Sequence, residues 1–484
     1  MDDLHFLPAT GLARLLRDGA VSSAELLEHY LARVEEHRGL NAIVALDADR
    51  ARDRAAAADA ARARGETWGP LHGLPMTVKD AFETEGVVTT SGAPELADHV
   101  PARDADAVAL LKAAGAVVFG KSNLPLYAGD LQTYNAVYGR TDNPWAPDRT
   151  VGGSSGGSAA ALAAGLTGLE LGSDIGGSIR NPAHFCGVFG LKPTWGIVPL
   201  RGHIPGPPGA VAPTDVGVAG PLGRSAGDLA LALEVLARPS PADAIGWSLA
   251  LPPPRNEGAV AGLRVATWFD DPFTPVSAET RTLLDAAAAA LAGAGARVTP
   301  VTPPAGLAEL VPLWERLVLP LMEAGVDDDT FDAFCGVEAT PVAADEPAPV
   351  RALRAITERH RAWLRADEHR HRLRERFARF FDDHDVLLAP VMPTAAFPHD
   401  TEGELIGRTL DVDGVTRPYL DGIAWNGAIG VLLLPAAVAP VGRTPGGLPV
   451  GVQIVAPHLH DRTAVAVAGH VEDLLGGFVP PPGC

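Results

Sequence analysis

Cysteine is scarce: Cys186, Cys335 and Cys484 are the only three in a chain of 484 residues. That excludes a disulfide framework and fits a reducing compartment. Positive charge is short as well. The 39 basic residues face 59 acidic ones, a formal net charge of −20, the wrong sign for a partner held through its phosphates, so no nucleic-acid partner is expected. The opening MDDLHFLPATG carries acid where a secretory signal carries Lys or Arg, and no apolar stretch follows it. The longest apolar run, 424–441, is interrupted by Asn426, Pro435 and Pro440. It suits a buried core segment better than a bilayer span, so no membrane partner and a cytoplasmic location are expected.

What is present is the composition of a folded protein. Apolar residues make up 47% and charged residues 20%, and Gly 53 with Pro 43 falls below the roughly 25–30% of low-complexity chains. At about 150 residues per domain the length would allow about three domains. Residues 1–65 read as helical: Ser22 and Glu25 have capping-box spacing, Leu26, Leu27, Tyr30, Leu31 and Val34 recur at helical intervals, and 47–64 is rich in Ala and Arg. From Gly73 the pattern changes to short apolar runs, PMTVKD, GVVTTSG and AVVFGKSN, alternating with a helical DADAVALLKAAG. This predicts an α/β fold with a largely parallel or mixed sheet. Turn signals mark 239–261 as a connection, followed by a strand–helix–strand unit over 262–301. A charged helix is expected from about Val350 to Asp382, with ten arginines between Arg351 and Arg379 on its solvated side. Its buried stripe should include Leu353, Ile356, Trp363, Leu364, Phe377 and Phe380. His360, His369 and His371 lie at spacings of nine and two, which do not stack ligands on one face, so no metal is expected. DVLLAPV, LPAAVAP and GLPVGVQIVAP read as buried strands.

The chemistry concentrates between 151 and 202, where two glycine-flanked serine loops, GGSSGG at 152–157 and GGS at 176–178, bracket an Ala-rich apolar segment. A flexible linker would not run directly into a buried helix and a second such turn. A phosphate loop would need a closing Gly-Lys-Ser/Thr that is missing. Glycines beside a serine let the amides of Ile175, Gly176, Gly177 and Ser178 converge on one point, and each such donor can supply roughly 3 kcal/mol to a developing oxyanion. A serine nucleophile needs a base. No Gly-x-Ser-x-Gly elbow surrounds Ser178; His184 stands six residues on, and Lys79 lies in an otherwise apolar strand.

This stretch resembles the amidase signature family. The chain reads GGSSGGS at 152–158, GSDIGGSIR at 172–180 and GLKPT at 190–194, with GLPMTVKD at 73–80, TTSG at 89–92, GKSN at 120–123 and NPW at 143–145 in the family's order. The resemblance covers nearly the whole chain and is least distinctive over 240–380. It implies one large α/β/α domain over 1–484: a helical segment to 65, the catalytic core at 66–238, the connecting and helical part at 239–384, and core strands from 385. It also implies a Ser–Ser–Lys triad, with Ser178 as nucleophile, Ser154 after a cis peptide bond as proton relay, and neutral Lys79 as base. Ser155, Asp174 and Arg180 match supporting residues. The reaction implied is hydrolysis of a small amide through an acyl-enzyme, with no cofactor; esters are a further substrate class. A second copy of the chain is the one protein partner left open.

Two departures matter. Ser173 replaces the family's threonine while keeping the hydroxyl, and LPLYAGD at 124–130 replaces a common acidic–aromatic segment, so no substrate class is carried over. Tyr127, Trp195 and Trp425 are candidates to line a pocket, against ordinary core packing. Two other functions compete: the glutaminase subunit of a tRNA-dependent amidotransferase, and an inactive binding protein on the same fold. The sequence after KPT, WGIVPLRG, departs from that glutaminase, and retention of Lys79, Ser154 and Ser178 together opposes an inactive protein.

Overall fold

The computed structural model describes residues 4–484 apart from 206–207, 323–327, 339–347 and 404. Parts of the expected 1–65 and 239–384 segments therefore lie outside the described residues. The Ser22–Glu25 capping box forms and starts the helix Ser23–Glu36. The Ala- and Arg-rich stretch is the helix Ala48–Ala63.

The sheet has eleven strands among the described residues. In spatial order they are Ile43–Leu46, Val117–Ser122, Pro75–Lys79, Glu170–Asp174, Val218–Gly223, Phe189–Lys192, Ala436–Arg443, Pro449–Val455, Val386–Pro390, Arg264–Thr267 and Arg297–Pro300. Pro75–Lys79 runs parallel to both neighbours, while Val218–Gly223 pairs antiparallel, so the sheet is mixed. Strands from all four expected segments join it. Burial alternates across it: Val386 and Leu388 belong to one apolar cluster, Leu387 and Ala389 to another. Successive side chains of a strand point to opposite faces, so both faces are packed. This is the α/β/α architecture with a helix-covered mixed sheet, and the described helices include none long and apolar enough to cross a membrane.

Three local expectations need correction. The 1–65 segment is not helical throughout: after Asn41 turns the chain with φ 53, Ile43–Leu46, which begins with β-branched Ile43 and Val44, pairs antiparallel with Val117–Ser122 as an edge strand. GVVTTSG is not a strand; it contributes only an isolated bridge between Thr84 and Val87. The Asp80 carboxylate takes the amide and hydroxyl of Thr90, and Ser91 follows with φ 50, which turns the chain away from any ladder. The charged segment is two helices, Ala348–Ile356 and His360–Asp383. At the break the Thr357 hydroxyl bonds back to the Leu353 carbonyl, Glu358 is held by Arg316, and Arg359 is extended. The break resets the helical phase. Ala352, Ala355, Ala366, Leu373, Phe377 and Phe381 are buried, while Leu364 is exposed. Several arginines pair with carboxylates, as in Arg351–Glu315 and Arg372–Glu368, and Arg370, expected on the solvated side, is instead buried against Asp215 and Asp367. His369 and His371 lie against Glu309 and Asp367, and His360 stacks on Trp363.

Candidate active site

The parallel strands Pro75–Lys79 and Glu170–Asp174 end side by side, in register Thr77 to Glu170 and Val78 to Leu171. Carboxyl ends of parallel strands are where α/β sheets place their sites. Lys79 ends the first strand, fully buried. Its Nζ donates to Ser154 Oγ at 2.6 Å and to Ser173 Oγ at 3.0 Å. Burial penalises the ammonium more than the negative charge of Asp174 favours it, so the amine is pushed down to about 7. A lysine 75 positions before Ser154 in the chain thus meets it as a hydrogen-bonded pair.

The peptide bond between Gly153 and Ser154 is cis, as the resemblance implies. Glycine is required at 153 by space: a Cβ there would stand 2.3 Å from the Asp130 carbonyl oxygen. Ser155 ties the two serine loops together. Its amide donates to the Ser178 carbonyl at 3.0 Å, and its hydroxyl bridges the Ser173 carbonyl (3.2 Å) and amide (3.3 Å). Ser178 and Ile175 are half-buried between fully buried neighbours, so the loop opens toward solvent at the serine.

Beneath the loop, Asp174 accepts from the amides of Gly177 (2.9 Å) and Ile179 (3.1 Å) and from Arg180 Nε (3.0 Å) and Nη2 (2.7 Å). Burial alone would raise this carboxyl, but the guanidinium and amide donors outweigh it and leave it at about 2. Arg180 continues to the Asn426 carbonyl (3.0 Å) and Gln453 Oε1 (2.6 Å). Removing one partner of such a buried pair strands the other. Arg180→Met is therefore expected to lower the unfolding free energy by about 3–5 kcal/mol, read as a lower urea midpoint at unchanged slope.

The expected set of four converging amides needs one correction. Gly177 N–H is taken by Asp174, because the carboxylate sits directly behind that turn. The amides of Ile175, Gly176 and Ser178 have no partner among the described residues.

The other named residues separate clearly. His184 is no base for Ser178: it is buried between the Gly451 amide and carbonyl and the Thr394 carbonyl, and burial pushes it down to about 4. Trp425 is fully buried and packs edge-to-face on Trp268 at 4.9 Å, so it serves the core rather than a pocket wall. Trp195 is half-buried, with its indole N–H on the Thr214 carbonyl at 3.0 Å. Tyr127 has φ 47 and donates its hydroxyl to Glu95 at the surface. A surface cavity of about 380 Å³ lined by Trp268, Phe269, Arg281 and Pro300 includes none of the serine-loop residues.

Sequence reasoning missed four participants: Ser173 as a second acceptor for Lys79, Asn426 and Gln453 behind Arg180, and Trp314, whose indole N–H donates to the Ile175 carbonyl at 3.0 Å. The hydroxyl kept at 173 was a usable signal. The other three lie 136 or more positions from the loop, and nothing local marks them.

A family model described as Amidase matches residues 25–465. The chain is 33% identical over 482 residues to an indoleacetamide hydrolase of Bradyrhizobium diazoefficiens, covering 97% of this chain and 86% of that protein. It is 36% identical over 514 residues to a glutamyl-tRNA(Gln) amidotransferase subunit of Anaeromyxobacter sp., covering 98% and 99%. The crystal structure of a bacterial aryl acylamidase belonging to the amidase signature enzymes superposes with a TM-score of 0.81 at 26% identity, covering 97% of this chain and 96% of that one.

Proposed function

The chain belongs to the amidase signature family and is an amide hydrolase; on that premise we propose that it works through an acyl-enzyme on Ser178, with Ser154 as relay and Lys79 as base. One observation carries the reading: a fully buried lysine, pushed down to about 7, sits 2.6 Å from the hydroxyl oxygen of Ser154, close enough to exchange a proton with it. A lysine that is neutral at working pH can accept a proton; an ordinary one cannot.

In the first half of the cycle, Lys79 takes the Ser154 proton as Ser154 takes that of Ser178, and Ser178 Oγ bonds to the amide carbon. The carbonyl electron pair moves to oxygen, facing the amides of Ile175, Gly176 and Ser178. Collapse re-forms the carbonyl and breaks the C–N bond, the relay returns the proton to the leaving amine, and water then hydrolyses the ester by the same route. The three side chains come from one chain, so a homodimer is not needed for this chemistry. The setting we propose is the cytoplasm, in keeping with three cysteines that form no disulfide.

The direct test is hydrolysis of aliphatic, aryl and α-amino amides, with esters, by the purified chain alone. Turnover of at least one amide class without partners is expected. A second reading draws on the amidotransferase relatives: release of ammonia from glutamine within a complex. Glutaminase activity that appears only when partner subunits are added would favour it. The lysine also sets the pH profile. A base pushed down to about 7 is protonated and idle below that value and free above it. So kcat/KM is expected to rise tenfold per pH unit below about 7 and level off above it; a flat profile from pH 5 to 8 would remove Lys79 from the base role.

A further inference from the structure

The segment least distinctive in sequence sends one side chain to the serine loop. Trp314, on the helix Leu307–Met322, is 4% exposed. Besides donating to the Ile175 carbonyl at 3.0 Å, its indole lies close against two glycines. A Cβ on Gly176 would stand 3.0 Å from Cζ2, and one on Gly427 would stand 3.2 Å from Cγ. A side chain at either position would crowd the indole.

A trans peptide unit is planar, and its C=O and N–H point in opposite directions. The Ile175 carbonyl and the Gly176 N–H belong to one such unit, and the cis bond found among the described residues is at 153–154 instead. Anchoring the carbonyl on the indole therefore fixes the direction of the Gly176 N–H, away from Trp314. The unit needs an external anchor, because Gly176 and Gly177, the latter with φ +118, offer little intrinsic resistance to rotation. The next amide, Gly177, is held by Asp174, and the Ser178 carbonyl is held by Ser155. Neither bond fixes the 175–176 unit.

We infer that Trp314 is a positioning residue for the oxyanion site: by holding the Ile175 carbonyl it aims the Gly176 N–H at the oxygen of the tetrahedral adduct on Ser178. The inference rests on the reading of Ser178 as nucleophile. It makes transition-state stabilisation depend on a helix outside the glycine- and serine-rich signature.

The test uses the full chain and a trifluoromethyl ketone analogue of its best amide substrate. Ser178 Oγ adds to the ketone carbon, its proton passes to the relay, and the ketone oxygen becomes the bound oxyanion. Trp314→Phe keeps an aromatic ring and removes the donor. Loss of a whole oxyanion donor costs about 100–1,000-fold, so misaiming one is expected to lower kcat by about 10–100-fold. KM should stay within about threefold, ketone affinity should fall in step with kcat, and the pH midpoint should not move. A merely structural role would instead lower the active fraction or raise KM and leave ketone selectivity intact. Should Trp314→Phe fold poorly, replacing Trp314 by 3-benzothienylalanine removes the N–H at nearly constant shape, with the same expectation. Unchanged kcat and ketone affinity, or a loss confined to KM, overturns the inference. Ser178→Ala is the separate control. If it binds the ketone as tightly as the parent, the nucleophile reading fails; if it loses the ketone while the Trp314 variants keep it, only the inference fails.

Discussion

Ser178→Ala is expected to reduce amide turnover by about 10⁵–10⁶-fold, the scale seen when a serine hydrolase loses its nucleophile. The residual rate would come from substrate binding and the remaining amide donors, which the substitution leaves in place. The same variant should take up no phosphonate probe, whereas the parent should gain one adduct whose mass maps to the peptide carrying Ser178. The fold should tolerate the change: the backbone contact from Ser155 to the 178 carbonyl does not involve the side chain, and Ser178 is half-buried at the loop opening. Stability is expected to change by less than about 0.5 kcal/mol, as for substitutions away from packed or paired groups. Retained hydrolysis in a variant shown by mass to be free of parent protein would refute the assignment.

Lys79→Met separates chemistry from stability, since its two effects have opposite signs. Activity is expected to fall by about 10²–10⁴-fold, the range for loss of a general base, and the rise of kcat/KM through pH 7 should disappear. Stability should not follow it down. The lysine is pushed from 10.5 to about 7 on folding, which corresponds to about 5 kcal/mol held against the folded state at neutral pH. The sign is fixed by linkage: between about 7 and 10.5 the unfolded chain binds the proton and the folded chain does not. Lys79 therefore lets stability rise with pH across that window. A methionine side chain at this position has similar volume and no such penalty. Its gain is offset by the lost bonds to Ser154 and Ser173, worth about 1 kcal/mol each. Urea unfolding at pH 7 should thus show Lys79→Met at least as stable as the parent, with a shallower increase toward pH 10. Lys121 and Lys192, also buried and pushed down to about 8 and 7, supply the remaining slope. A variant that loses both activity and several kcal/mol of stability would mean the lysine is structural.

Much of this was legible in the sequence because it is local. The Ser22–Glu25 cap, the strand–helix–strand unit over 262–301 and the final strand pair form where periodicity and turn residues place them. The serine loops could be read because their glycines are neighbours in sequence; the backbone approach they permit is settled within a few residues. The break at 357–359 was not legible, since it depends on Thr357 and Glu358 finding partners on their own and a neighbouring helix. Nor was the diversion of the Gly177 amide, which follows from where the Arg180 guanidinium holds Asp174.

The chain's shortages kept only a general meaning. A charge of −20 and three cysteines bound the setting and say nothing about the site. By itself the sequence determined the residue types that the chemistry needs, a lysine and two serines among glycines, and, through the resemblance, their roles. Only the tertiary structure decided that Lys79 loses its water and meets Ser154 at 2.6 Å, and that Trp314 reaches the Ile175 carbonyl from 139 positions away. The reason is physical. Desolvation and the aim of a peptide dipole are set by everything packed around a group, and those surroundings come from every part of the chain at once.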